Sequence, residues 1–197
     1  VNLPAGWSLL FYADGGVGDC STLGAAVGNS GAVPANSNVT ICAVASIPMT
    51  GAGAMPGNYE LYFRARASSG AFDVKHDRVT VNPVRQLAIT DNQAQEVFPN
   101  GTVVYGHIIR NNGNVVEGDG PGSDTALAVN LSGVTTGWSA VVYWDRNNDG
   151  ILDANDPVVD SLEDLIGGSG GASTAAGLDP GESARLFVKV FAPASAP

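Results

Sequence analysis

The chain has 197 residues, including 26 glycines and 11 prolines, and only 14% of its residues are charged, which excludes a protein built from long amphipathic helices. Its formal net charge is −10. So acidic a chain repels phosphate backbones, which argues against nucleic-acid binding. No apolar run reaches the length needed to span a membrane, so this segment is not expected to insert into one.

The acidic residues are concentrated in the second half of the chain. Residues 1–84 carry five acidic and four basic residues, whereas residues 85–197 carry fourteen and five. Nine of those fourteen lie between Asp145 and Glu182. This region is therefore expected to attract cations.

Alternation of apolar and polar residues with a period of two predicts β-strands along most of the chain. The strands are expected at Asn38–Ile47, Asn58–Ala67, Thr102–Arg110, Thr125–Ser132, Trp138–Trp144 and Ser183–Ala192. The second of them turns back through "ASSGA", and a change of parity in the returning strand predicts a bulge or bend near His76–Asp77. Only Val158–Ile166 has a helical pattern, and it is short.

Two pairs of similar segments occur in the same order, which indicates a tandem repeat. The segment "VNLPAGWSLLFYAD" (Val1–Asp14) resembles "VNLSGVTTGWSAVVYWD" (Val129–Asp145). Further along, Val33–Pro48 resembles Leu178–Pro193. The boundary between the two copies is expected near Asn82–Arg85, after a hairpin and at a proline.

The predicted fold is all-β, with two immunoglobulin-like β-sandwich modules in tandem at residues 1–84 and 85–197, because short strands separated by turn residues favour sandwiches. The first copy lacks a lead-in like Leu87–Asn114, and the second lacks a hairpin like Asn58–Val81. The chain also starts without Met or a signal peptide. We therefore expect an internal segment or mature fragment that begins and ends inside a module.

Cys20 and Cys42 are the only cysteines, and both lie in the first copy. In an acidic, strand-rich chain they are expected to form a disulfide, the alternative being two buried thiols. A disulfide would place the chain outside the reducing cytoplasm. The second copy carries Val188 or Lys189 near the place of Cys42, so the bridge is expected in one repeat only.

The stretch "DRNNDGILDAND", from Asp145 to Asp156, matches the spacing of a calcium-binding loop. Counted from Asp145, oxygen-bearing side chains stand at positions 1, 3, 5, 9 and 12, with glycine at position 6. A tight turn at the glycine would let short side chains converge on one ion, and hard oxygen ligands select Ca²⁺. The predicted ligands are Asp145, Asn147, Asp149, the carbonyl of Ile151, Asp153 and Asp156.

Two features depart from the usual calcium loop. Position 12 is Asp156 rather than glutamate, and the preceding segment is strand-like, so the loop is expected on a β-domain rather than between two helices. The alternative interpretation is a solvated Asp/Asn turn without metal. The first copy has only Asp14 and Asp19 at the equivalent place, too few ligands for an ion. One repeat would then pin its loop with a disulfide and the other with an ion.

No arrangement of residues has the pattern of a catalytic site, so we expect no enzyme. His76 and His107 are the only histidines, and they stand in separate strands. The Asn-x-Ser/Thr sites at Asn38, Asn100 and Asn130 are possible glycan acceptors.

Four basic residues are concentrated in one hairpin of the first copy: Arg64, Arg66, Lys75 and Arg78. One interpretation is a solvated strand face. The other is a docking surface for the acidic loop of another module or subunit.

With the repeat, the loop and "RNNGNV" (Arg110–Val115) in view, the chain resembles the conserved-repeat domains of bacterial cell-surface proteins. The resemblance covers most of Leu87–Pro193 and, more weakly, Val1–Val81. The low charge and the Ala/Gly/Ser-rich loops are similar to those of surface-layer proteins. The resemblance implies immunoglobulin-like modules, order supported by calcium, and lateral assembly with copies of the chain or neighbouring modules in a surface array.

The sequence therefore predicts a structural, self-assembling module of a bacterial surface layer or fibre. The alternative is an adhesin or a carbohydrate-binding module of a secreted protein. A sugar-binding face would need exposed aromatic residues in a row. Trp7, Trp138 and Trp144 instead occupy strand positions that are expected in the core.

Overall fold

The computed structural model describes residues 3–49, 54–90, 92–118, 125–134, 136–166 and 176–195. The chain is all-β, as predicted, with antiparallel sheets of the kind that β-sandwiches are made of. It divides into two compact units, Val1–Val81 and Asn82–Pro197, so the boundary lies three residues before the expected one at residue 84. Asn82 and Val84 belong to the second unit because both hydrogen-bond to the side chain of Asn114.

The first unit contains a three-stranded sheet and a hairpin. The sheet has the order β2-β1-β3, with β1 at Ser8–Asp14, β2 at Leu23–Ala26 and β3 at Ile41–Ser46. The hairpin pairs β4, Gly57–Arg66, with β5, Phe72–Val81. Both pairings are antiparallel, as the alternating sequence pattern predicts.

The hairpin ladder of ten residue pairs runs without interruption, so the predicted bulge near His76–Asp77 is wrong. The change of parity in the sequence has a different cause. Phe72 and Val74 lie on the solvent-exposed face of the hairpin, where burial does not decide which residues are apolar.

The second unit holds one four-stranded antiparallel sheet in the order β6-β7-β9-β8. Its strands are β6 (Leu87–Ile89), β7 (Thr102–Asn111), β8 (Ser139–Trp144) and β9 (Ser183–Phe191). The predicted strands for β7, β8 and β9 are confirmed to within one residue at each end.

The predicted helix at Val158–Ile166 is wrong. Only Leu162–Asp164 forms a single 3₁₀ turn, and the side chain of Ser161 caps its N-terminus. The residues before the turn are extended instead, because the N–H of Val159 donates to the carbonyl of Val142 in β8.

The predicted strand at Thr125–Ser132 is also wrong. Within the described residues it makes one isolated bridge, between Ala126 and Ser161, rather than a ladder. Leu127 and Val129 nevertheless pack against the core, so the apolar alternation was a signal of burial and not of regular pairing.

The two units differ in how many of their described hydrophobic residues are buried. In the second unit Trp144 of β8 lies in a core cluster with Leu162, Leu165 and Leu178, and all four are fully buried or nearly so. Among the described residues of the first unit, the buried hydrophobic ones are Trp7, Cys42, Ala54 and Leu61. The expectation that tryptophans are in the core therefore holds for Trp7 and Trp144, while Trp138 is half-buried.

Candidate metal-binding loop

Asp145 follows the last residue of β8 directly and anchors the candidate calcium loop. Its side chain is fully buried. The N–H of Asp149 donates to its Oδ1 at 3.1 Å, and the N–H of Gly150 donates to its Oδ2 at 2.9 Å. Since Asn148 and Gly150 have left-handed φ values of 58° and 79°, the backbone curls around this carboxylate.

Asp156, at the far end of the loop, plays a matching part. It is buried, and its Oδ2 accepts the N–H of Asp153 at 2.9 Å while its Oδ1 accepts that of Arg146 at 3.3 Å. Because Arg146 lies next to Asp145, the second carboxylate ties the end of the loop back to its beginning.

The remaining predicted ligands lie on the outside of the loop. Asp149, Ile151 and Asp153 are exposed. The carboxylate of Asp149 accepts the N–H of Ile151 at 2.8 Å, and that of Asp153 accepts the N–H of Asn155 at 2.7 Å. The Asn147 side chain accepts the N–H of Asp149 at 3.3 Å. The spacing thus creates a series of short side-chain-to-backbone turns.

These carboxylates are not drawn together as a closed metal shell. Ligand oxygens bound at Ca²⁺ distances of about 2.3–2.6 Å lie within roughly 5 Å of one another. In the described part of the chain, the one trio of acidic, histidine or cysteine ligand atoms within 4.8 Å of one another is Asp14, Cys20 and Cys42. Its two cysteines are joined as a disulfide, so this trio is not a metal site.

Arg185 of β9 is a member of the site that the sequence pattern did not reveal. Its Nη1 lies 3.7 Å from Oδ2 of Asp145. Glycine is favoured at position 150 by its left-handed φ of 79°, and a Cβ atom there would displace the end of the Arg185 side chain, which would lie 2.4 Å away. The contact joins positions forty residues apart in the sequence, and only the pairing of β8 with β9 brings them together.

The first unit closes its corresponding loop with the predicted disulfide, which is confirmed. Cys20 and Cys42 are bonded, with their Cα atoms 5.6 Å apart. Asp14 holds the same loop from within, as its carboxylate accepts the N–H groups of Gly16, Gly18 and Cys20 at 3.1, 2.8 and 2.9 Å. The bridge therefore fixes a loop after β1 to the neighbouring strand β3.

The place of Cys42 in the second unit is held by Phe187, not by the predicted Val188 or Lys189. Tyr12 pairs with Cys42 across β1 and β3, and Tyr143 pairs with Phe187 across β8 and β9. The strand pairing thus fixes the register between the two copies.

The Asn-x-Gly-Asn segment forms a buried polar junction. Asn111 is fully buried, and its Nδ2 donates to the carbonyls of Val115 and Leu178 at 2.7 and 2.8 Å. The side chain of Asn114 bonds to the backbone at the start of this unit. Its Oδ1 accepts the N–H of Val84 at 2.6 Å, and its Nδ2 donates to the carbonyl of Asn82 at 3.0 Å. These asparagines therefore organise backbone rather than bind a ligand.

The histidines stand in different units. His76 stacks on Tyr62 with ring centroids 5.7 Å apart, and its Nε2 lies 3.7 Å from Glu60. Nδ1 of His107 lies 3.2 Å from the carbonyl of Thr90. Both contacts are typical of surface strand residues.

Two exposed carboxyls outside the candidate loop have a lowered pKa. A hydrogen bond from Ser21 lowers the pKa of Asp19, and one from Lys75 lowers the pKa of Asp73. Hydrogen bonding to the charged form is the cause in both cases.

No protein family, curated protein or solved structure matches this chain. Among the described residues there is also no helix long and apolar enough to cross a membrane.

Proposed function

We propose that the chain is a non-enzymatic structural segment of a bacterial cell-surface layer or fibre, built from immunoglobulin-like β-sandwich units in series. The observation that carries the proposal is the Cys20–Cys42 bridge, which ties a surface loop to β3 in a unit with few buried hydrophobic residues. Disulfides persist in oxidising, extracellular surroundings, and small cores depend on them. The resemblance to cell-surface repeat domains supports the same location.

Calcium is proposed as the second stabilising element, in the loop of the other unit. The ion would be held by Asp145, Asn147, Asp149, the carbonyl of Ile151, Asp153 and Asp156. The donor set fits calcium in chemistry, since it consists of oxygen atoms around a glycine turn, with one carboxylate buried and fixed. Asp149 and Asp153 are exposed, so their side chains can rotate towards Asp145 without disturbing the core.

The charges of the loop support a role for a cation. Arg185 offsets the negative charge of the Asp145 carboxylate. Asp149 and Asp153 have no ion pair with a basic residue within the described ranges. A divalent ion would remove their mutual repulsion and hold the loop in a single conformation.

Calcium is expected to raise the unfolding temperature of the chain, because an ion that binds only the folded state stabilises it. The free energy of unfolding rises by about 2.7 kcal/mol when free calcium exceeds the dissociation constant a hundredfold. Magnesium should do less, since it keeps its water and demands a tighter geometry. Differential scanning calorimetry with each ion, after removal of metal by a chelator, measures both effects.

The matched variants replace two exposed carboxylates in each case. Asp149→Asn/Asp153→Asn should abolish the calcium effect, whereas Asp73→Asn/Asp77→Asn in the first unit should preserve it. An unfolding temperature that is the same with and without millimolar calcium would refute the metal site.

Electron microscopy of the chain with calcium tests the proposed surface layer directly. Ordered sheets support the layer, and monomers at every concentration count against it.

A carbohydrate-binding module or adhesin is the second candidate, and one observation favours it. Tyr62 and Phe72 lie on the same face of the β4–β5 hairpin and are 57% and 65% exposed. Arg64 lies 5.6 Å above the Phe72 ring and adds a positive charge to this face. Aromatic rings beside hydrogen-bond donors are the usual elements of a sugar-binding surface.

A glycan microarray tests this candidate. It predicts that the chain binds glycans on the microarray and that Tyr62→Ala/Phe72→Ala removes that binding. Phe98→Ala is the matched control, because Phe98 is an exposed aromatic residue elsewhere in the chain. Glycan binding that survives the double substitution, or none at all, counts against the hairpin face as a sugar site.

A further inference from the structure

The β4–β5 hairpin divides its charged residues between an inner and an outer face. The inner face contacts β1, where the centroid of the Phe63 ring lies 6.3 Å from that of Phe11. Lys75 pairs with Phe63 in the ladder and therefore lies on the inner face as well. The other three basic residues alternate with these positions and share the outer face: Arg64, Arg66 and Arg78.

Two of the three arginines on the outer face have no acidic partner. The charge of Arg78 is balanced on its own face, because its Nε lies 3.1 Å from Oε1 of Glu60. Within the described residues neither Arg64 nor Arg66 forms an ion pair. The guanidinium of Arg64 lies 5.6 Å from the centroid of the Phe72 ring. The end of the outer face next to the hairpin turn is therefore positive, in a chain whose formal net charge is −10.

Exposed apolar side chains surround these two positive charges. Tyr62, Phe72 and Val74 lie on the same outer face, and all three are exposed. In the ladder Val74 stands directly opposite Arg64, and Phe72 stands directly opposite Arg66. Aromatic residues and arginine are the residue types that are enriched at protein–protein interfaces. We call these five residues the hairpin patch.

One segment of the second unit has the opposite charge and a similar set of exposed apolar residues. Its inner residues belong to the hydrophobic core: Val159, Leu162 and Leu165. Its outer residues are exposed, and we call them the acidic turn: Val158, Asp160, Asp164 and Ile166. The N–H of Asp160 donates to Oδ2 of Asp164 at 2.9 Å, so both acidic residues belong to one turn. Neither forms an ion pair within the described residues.

We propose that the hairpin patch of one chain docks on the acidic turn of a second copy of the chain. Each surface carries two charges of one sign beside exposed apolar side chains, so the contact buries apolar area while opposite charges meet. Two hairpin patches would repel each other, and so would two acidic turns. The charges therefore favour a contact between the unlike surfaces over a symmetric contact of either surface with itself.

Such a contact joins copies into an open row. Each chain offers its hairpin patch to one neighbour and its acidic turn to another, and a heterologous contact of this kind repeats without closing unless the rotation between copies forms a ring. The contact deepens the proposed assembly role and rests on it, since a fibre or one direction of a layer needs such a repeat. Asp160 and Asp164 are not among the proposed calcium ligands, so the contact does not depend on the metal site.

Charge reversal on each surface, followed by mixing, tests the contact. Sedimentation velocity measures self-association of the full chain over a range of concentrations, in a low-salt buffer that contains a calcium chelator. Arg64→Glu/Arg66→Glu should weaken self-association about tenfold or more, and Asp160→Arg should weaken it severalfold, because like charges would then meet. Asp164 is left unchanged, since its carboxylate accepts the N–H groups of Asp160 and Ser161 and so holds the turn. An equimolar mixture of the two variants should associate more strongly than either variant alone.

Lys75→Glu/Arg110→Glu is the matched control, because it reverses two exposed basic residues outside the hairpin patch and should leave self-association unchanged. Monomers of the unaltered chain at every concentration, an equal loss in the control, or a mixture no stronger than its components overturns the proposal. Electron microscopy with calcium separates this contact from the layer. Ordered sheets that persist in Arg64→Glu/Arg66→Glu would refute only the contact, and a contact confirmed without ordered sheets would count only against the layer.

Discussion

Replacing both cysteines by serine lowers the free energy of unfolding of the first unit by about 3 kcal/mol, the chain-entropy contribution expected for a loop closed by a disulfide at this separation. Cys20 and Cys42 lie 22 residues apart, and Cys42 is buried. This loss is large relative to the total free energy of unfolding expected for this unit, because its described residues bury only a small hydrophobic core. Serine at position 42 adds the cost of burying a hydroxyl group.

Urea unfolding followed by hydrogen exchange and mass spectrometry measures this loss and assigns it to a region. Protection should fall in Ser8–Ser46, while β7 and β9 keep theirs, since Cys20 and Cys42 are the only cysteines in the chain. Ser21→Ala, next to the bridge, serves as the matched control and should change little. If reduced and oxidised chains show the same protection in β1 and β3, the bridge has no stabilising role.

Asn111→Ala is expected to destabilise the second unit by about 3 kcal/mol or more, because it leaves several buried main-chain groups without partners, each at a cost of about 1–3 kcal/mol. Its Nδ2 donates to two carbonyls, and its Oδ1 accepts the N–H of Gly113 at 2.8 Å. Gly113 lies against the backbone of the chain entering this unit, where a Cβ atom would lie 2.3 Å from the carbonyl oxygen of Val84.

Asn112→Ala is the matched control for this variant, because Asn112 is the adjacent residue and only half-buried. It should stay within about 0.5 kcal/mol of the unaltered chain. Asn111→Asp keeps an acceptor for Gly113 but loses both donated bonds, and should be intermediate or worse. Equal urea midpoints for Asn111→Ala and Asn112→Ala would show that the buried network is not needed for stability.

Local sequence patterns predicted the regular strands well. Alternation over Thr102–Arg110 and Ser183–Ala192 corresponds to β7 and β9, because both strands lie in one sheet with a buried face. The disulfide followed from there being two cysteines. The turn at Gly150 followed from the spacing of short polar residues, since side-chain-to-backbone bonds over two to five residues are local.

Segments whose local pattern disagrees with the partner that satisfies their backbone were predicted less well. Val158–Ile166 has a helical pattern, yet the N–H of Val159 donates to Val142 of β8 and that of Leu162 donates to Thr125. In the same way, local parity suggested a bulge near His76–Asp77 where the partner strand imposes a regular ladder. A pattern read from one segment carries no information about the partner that will satisfy its backbone.

The sequence by itself therefore determined the all-β class, the positions of the long strands, the disulfide and the carboxylate-rich turn, all of which depend on alternation, composition or contacts within a few residues. Only the tertiary structure decided that Asp145 is buried against Arg185 and that Phe187 takes the ladder position of Cys42. These features depend on which strands become neighbours and in which register, and that choice is made by the packing of the whole unit.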